Sequence, residues 1–97
     1  MRLVLHRCVR SDVDEIIDYY EGADQPELAD DFYRELRHFM LDAARRPYRN
    51  HFFKADLRRA NLKRFPYHFL YRVVRDSVRV LVVRHHRRHP NHGIERE

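Results

Sequence analysis

The stretch VVRHHRRHPNH, residues 82–92, ends a β-branched apolar run with seven Arg or His residues in nine. Such residues do three kinds of chemistry. They can hold a metal through imidazole, move protons near neutral pH, or grip a polyanion. A metal site is the weakest fit. His85 and His89 are four apart, a helical spacing, yet they straddle the end of a strand and precede Pro90. The stretch holds no Cys or carboxylate, and Arg84, Arg87 and Arg88 repel a cation, whereas zinc sites gather neutral imidazoles and anionic ligands. Neither a metal nor a cofactor is therefore expected. Cys8 stands in no nucleophile motif and reads as a small, half-buried residue.

The charge distribution fits either a polyanion partner or two solvated faces that partly neutralise each other. Residues 1–44 hold five Arg against eleven Asp and Glu, a net of −6; residues 45–97 hold fifteen Arg and Lys against four, a net of +11. Six of the eight His also fall in the second part. A basic half attracts nucleic acid, an acidic peptide or an acidic protein surface. At 97 residues the chain is expected to be one domain, 1–97. A single Cys and the absence of an early apolar run of signal or membrane-spanning length point to a cytoplasmic protein with no membrane contact.

The elements that must position these residues follow in order. RLVLHR (2–7) alternates weakly and reads as a short first strand, to which Leu3, Val4 and Leu5 are suited. SDVDEIIDYYEG (11–22) reads as a helix with Ser11 as N-cap, acidic residues in its first turn and Val13, Ile16, Ile17 and Tyr20 as one apolar stripe. Residues 24–47 read as a longer helix. Pro26 lies in its first turn, Leu28, Phe32, Leu36, Phe39, Met40 and Ala43 form its buried stripe, and Pro47 stops it. YRNHFFKAD (48–56) has no clean period and reads as a loop. Strands follow at 57–65, 67–74 and 78–86, the last two joined by the tight turn Arg75–Ser77. The order β-α-α-β-β-β predicts an α+β fold. A helical hairpin packs on one face of a twisted, mostly antiparallel four-stranded sheet, and basic side chains are left on the open face. Phe65, Tyr67, Phe69 and Tyr71 are expected in the core. His68 is expected to face solvent on the open face, unless Arg59 and Arg87 lie beside it.

The block RRANLKRFPYHFLYRVVRDSVRVLVVRHHRRHP (58–90) resembles the RelE/ParE superfamily, the toxin halves of bacterial type II toxin–antitoxin pairs. The likeness rests on a basic strand entering RFPY (64–67), then LYRV (70–73), a short turn, and a Val-rich strand closing on His, Arg and Pro. The N-terminal half matches more loosely, through SDVDEIIDYY and a second amphipathic helix. The resemblance implies an antitoxin whose acidic, disorder-prone segment wraps and neutralises this chain.

The superfamily has two activities. ParE-like members bind DNA gyrase and poison it; RelE-like members cut mRNA on the translating ribosome. The RelE-like chemistry needs a base, an acid and cations at the phosphorane. Its positions, anchored on Pro66-Tyr67, correspond to Arg59, Asn61, His68 and Arg87, with His85 and His86 close by. Asn61 is uncharged, and no Tyr follows Tyr71 to supply the tail Tyr of those nucleases. The RRHP ending looks ParE-like, so gyrase poisoning is the favoured reading. The nuclease, or a degenerate toxin kept for antitoxin binding, is the alternative. Residues expected to bind antitoxin or target are Arg58, Arg59, Lys63, Arg64, Arg72, Arg84, Arg87 and Arg88.

Overall fold

A computed structural model describes all residues, Met1–Glu97. The elements are β1 (Arg2–Leu5), α1 (Val9–Gly22), α2 (Pro26–Arg45), β2 (Phe52–Lys54), β3 (Leu57–Asn61), β4 (Tyr67–Val74) and β5 (Ser77–His85). The α+β class is as expected, with the two helices on one face of the sheet. The sheet, however, has five strands, in the order β1-β5-β4-β3-β2. It is mixed, because β1 pairs parallel with β5 while the other pairings are antiparallel.

The additional strand, β2, falls inside the expected loop. It forms a hairpin with β3 in which Lys54 faces Leu57, and Ala55 takes a left-handed turn (φ 51°). Ala is an uncommon residue for that region, so the usual Gly or Asn signal of a hairpin is missing. β3 also ends earlier than expected, at Asn61. The turn after it is tied to α2, where the Glu35 carboxylate accepts the Lys63 and Arg64 backbone N–H groups at 3.0 Å each.

Helix α1 begins two residues before Ser11, which is therefore not the cap. The residue before the helix, Cys8, makes no side-chain cap bond. His6 performs the capping instead: its Nδ1 accepts the Cys8 N–H at 3.0 Å and its carbonyl accepts the Val9 N–H at 2.9 Å.

The main core lies between helices and sheet. Ile16, Tyr20, Phe32, Leu36 and Met40 pack on Phe65, Tyr67, Phe69, Tyr71, Val78, Val80 and Val83. Phe32, Phe69 and Tyr71 are fully enclosed. Aromatic rings meet edge to face around Phe32, with Phe65 at 5.7 Å and Tyr67 at 5.3 Å.

A bulge in β5 reshapes the opposite face. Leu70 pairs with Val82 and Tyr71 with Val80, so Leu81 is the extra residue. Leu81 and Val82 then join Leu57 and Leu70 in a second apolar cluster, covered by Phe53 and Ile94. The open face is therefore not left wholly to cations. No helix is long and apolar enough to cross a membrane.

Candidate functional site

Strand alternation places Arg59 and Asn61 of β3, His68 of β4 and Arg84 of β5 on the face away from the helices. Asn61 faces His68, and His68 faces Arg84 across the ladders. His68 is 1% exposed and Arg84 3%. Arg84 donates from Nε to His68 Nε2 at 2.9 Å. His68 Nδ1 lies 2.9 Å from Nδ1 of His86, and the two rings stack with 12° between their planes. Arg59 Nη2 reaches the same His86 Nδ1 at 3.3 Å, while its Nε donates to Asn61 Oδ1 at 2.7 Å.

These contacts assign the protons. A guanidinium can only donate, so His68 Nε2 must accept and its proton sits on Nδ1. That proton is given to His86 Nδ1, which also accepts from Arg59. His86 therefore carries its own proton on Nε2, on an exposed residue. Burial, with Arg59 and Arg84 next, pushes the His68 pKa down to about 3. Burial and Arg59 lower that of His86 as well. His68 is thus neutral at any physiological pH.

Beyond β5 the chain folds back over this face. The single Arg84 Nη1 donates to the carbonyls of His89, Pro90 and His92 at 3.2, 2.8 and 2.8 Å. Gly93 (φ 80°) lies so close to Val82 that an added Cβ would meet Val82 Cγ2 at 2.6 Å. Ile94 covers the second apolar cluster. Arg96 then grips Asp12 of α1 with two bonds, Nη1 to Oδ2 at 2.6 Å and Nη2 to Oδ1 at 2.9 Å. Asp12 Oδ2 also accepts the Val83 N–H at 3.1 Å, and Arg96 donates to the Leu81 carbonyl at 3.2 Å. Since β1 pairs with β5 only as far as Val80, this ion pair closes the β5 edge that β1 leaves open.

A third feature lies on the helical side. A groove of about 680 Å³ runs between β1, α1 and α2. It is lined by Leu3, Leu5, Val13, Ile17, Leu36 and Leu41 among others, and Arg7, Arg10 and Arg37 also border it. Leu5, Tyr33 and Leu41 expose large apolar surface there. His6 also lines it, and its Nε2 is buried without a partner. Because Nδ1 accepts the Cys8 N–H, the unpartnered Nε2 of a neutral ring is a donor.

Residues 3–90 match the family model described as "ParE toxin of type II toxin-antitoxin system, parDE". The chain belongs to the ParE toxin family. Among solved structures, the ParE-family fold is shared with a chain described as "Chromosomal ParDE TA system from P. aeruginosa", with a TM-score of 0.78, 20% identity, and coverage of 88% of this chain and 95% of that one. No curated protein matches.

On this ParE-family fold the expected site residues separate. Arg59, His68, His86 and Arg84 converge. His68 does not face solvent as expected; the tail and its neighbours bury it. His85 turns to the helical side, its ring edge-on to Tyr67 at 5.2 Å. Arg87 is exposed and makes no ion pair. Arg72 lies on the open face and pairs with Asp56 at 3.2 Å. Arg58 points to the helical side of the sheet edge. It stacks 3.9 Å over Phe52 and donates to the Tyr48 and Asn50 carbonyls. Lys63 and Arg64 lie in the turn after β3, with Arg64 near Asp31 at 3.5 Å, and Arg88 reaches toward Glu15 of α1 at 4.0 Å. Sequence reading missed the Asp12–Arg96 closure and the unpartnered His6 donor. Neither has a local signal, because the first joins residues 84 apart and the second depends on a groove built from three elements.

Proposed function

We propose that this chain is the toxin of a type II toxin–antitoxin module. It is one unit over residues 1–97, working in the cytoplasm and arresting growth by binding DNA gyrase rather than by cutting RNA. The observation that carries the choice is the state of the open face. Metal-free RNA cleavage needs a base and an acid that exchange protons near neutral pH. His68, which stands where the nucleases carry Arg, is neutral and has both ring nitrogens committed to Arg84 and His86. The basic nitrogen of His86 is already taken by two donors. Asn61 adds no charge, and no Tyr follows Tyr71. Such a face can hold partners but has no free proton shuttle.

The antitoxin is proposed to dock in the groove between β1, α1 and α2. An amphipathic segment would bury its apolar stripe on Leu5, Ile17, Leu36 and Leu41, set acidic residues against Arg7, Arg10 and Arg37, and bring an acceptor to His6 Nε2. Expression in a bacterium without the antitoxin tests the functional reading. Filamentation with induction of the DNA-damage response is expected. Harmless expression, or an immediate stop in translation with intact DNA, would overturn it.

A further inference from the structure

Charged groups inside proteins are held by opposite charges, and a guanidinium left without one is costly to bury. While most of the other arginines are exposed, Arg34, Arg49, Arg64, Arg72, Arg88 and Arg96 each face a carboxylate. Arg59 and Arg84 do not. Arg84 is almost completely buried and meets neutral carbonyls, His68 and the face of Phe53 at 5.2 Å, but no carboxylate. Arg59 is half-buried and meets only Asn61 and His86. Burial and then Arg59 lower the pKa of Arg84, and both histidines between them are lowered too. Two guanidinium groups, bridged by two neutral histidines, thus sit together with no negative charge among them.

We propose that the open face carries a phosphate-binding site, formed by the Arg59 guanidinium and the His86 Nε2–H and held in place by Arg84 and His68. The assigned protons give the site its direction. The buried Arg84–His68 pair fixes which His86 nitrogen donates, as the second partner of a histidine commonly does. Arg59 has already given Nε to Asn61 and one Nη2 proton to His86, so its side-on fork is taken. A planar carboxylate is served best by such a parallel fork. A tetrahedral oxyanion instead offers a separate oxygen to each of two divergent donors, the remaining guanidinium protons and the His86 Nε2–H. The site binds without cutting, for the reason already given: its basic nitrogens are occupied. Phosphate could arrive as a free phosphate group or as part of a nucleic-acid backbone. The proposal does not depend on gyrase being the target.

The full chain, labelled with ¹⁵N in its histidine rings, is titrated with inorganic phosphate at constant ionic strength. The expected result is a ring in the Nε2–H form at His86 and a saturable shift of that nitrogen. Arg59→Ala should weaken binding by about tenfold or more, the loss expected when a charge-assisted hydrogen bond is removed. Arg79→Ala, exposed on the same face toward the other end of β5, should bind as the parent does. His68→Phe should leave His86 in mixed tautomers and weaken phosphate binding, which a merely structural role would not do to the tautomer. A short single-stranded RNA that displaces phosphate more tightly assigns the site to a nucleic-acid backbone; one that does not assigns it to a free phosphate group. No saturable shift, undiminished binding by Arg59→Ala, or equal displacement by a glutamate-rich peptide would overturn the proposal.

Discussion

Replacing Asp12 by Ala should cost about 3 kcal/mol of folding stability. The Asp12 side chain is 8% exposed and its partner Arg96 19%. Three bonds disappear with the carboxylate: one to the Val83 N–H and two to Arg96. The Val83 N–H points to the edge of β5 beyond the end of β1, away from β4, so it is left unpaired, at a cost of roughly 1–3 kcal/mol. Arg96 is near enough to the surface to turn toward water. Its loss therefore lies below the range of about 3–5 kcal/mol for breaking a fully buried pair. Arg96→Met leaves Asp12 its bond to Val83 and should cost about 2 kcal/mol. The double variant should cost about 1 kcal/mol less than the two singles together, because they share one interaction. Urea unfolding measures all three, with midpoints moving and slopes constant. A single-domain protein of this size has on the order of 5–15 kcal/mol in reserve, so the variants remain folded. A cost below about 1 kcal/mol for Asp12→Ala, or strict additivity, would show that the tail is not closed on α1 in solution.

Three further outcomes follow from the same contacts. His68 binds its proton far less readily folded than unfolded, so its contribution is full above the ordinary histidine pKa and is lost as pH falls from about 6.5 toward 3. His68→Gln, which still offers Arg84 an acceptor, should remove up to about 1.4 kcal/mol per pH unit of acid sensitivity in that window; an unchanged pH–stability curve would contradict the buried neutral ring. Gly93→Ala combines a left-handed backbone with a Cβ driven into Val82, and should lower stability by about 1–3 kcal/mol and speed amide exchange in residues 89–97. Leu5→Asp or Leu41→Asp changes an exposed groove residue, so unfolding should shift by no more than about 0.5 kcal/mol. Co-expressed antitoxin should nonetheless fail to co-purify with either variant or to rescue growth; intact rescue would move the antitoxin to another face.

The sequence carried the helical hairpin and the last two strands because their signals are local. Apolar periodicity runs through Ile16, Tyr20, Phe32 and Leu36, and β-branched residues crowd 78–83. β2 escaped because three residues show no period and Ala55 hides its turn. The parallel pairing of β1 with β5 could not be read from RLVL alone, which specifies a strand and not a neighbour. The basic residues were visible as types, but strand alternation, the early end of β3 and the bulge at Leu81 decided their directions. So Arg59 and Arg84 converge on the His86–His68 pair, while Arg58, Lys63, Arg64 and Arg88 turn elsewhere. His68 looked exposed because it alternates with core residues. The tail that buries it is held by carbonyls, which no side-chain pattern announces.

Gyrase poisoning is the proposed means by which this ParE-family chain arrests growth. The most direct measurement is the yield of double-strand breaks when the purified chain is incubated with gyrase, supercoiled DNA and ATP, then denatured and treated with protease. Dose-dependent linear DNA and loss of supercoiling are predicted, both abolished by adding the antitoxin. Undiminished supercoiling without trapped breaks, together with codon-phased cuts in mRNA on translating ribosomes, would contradict it.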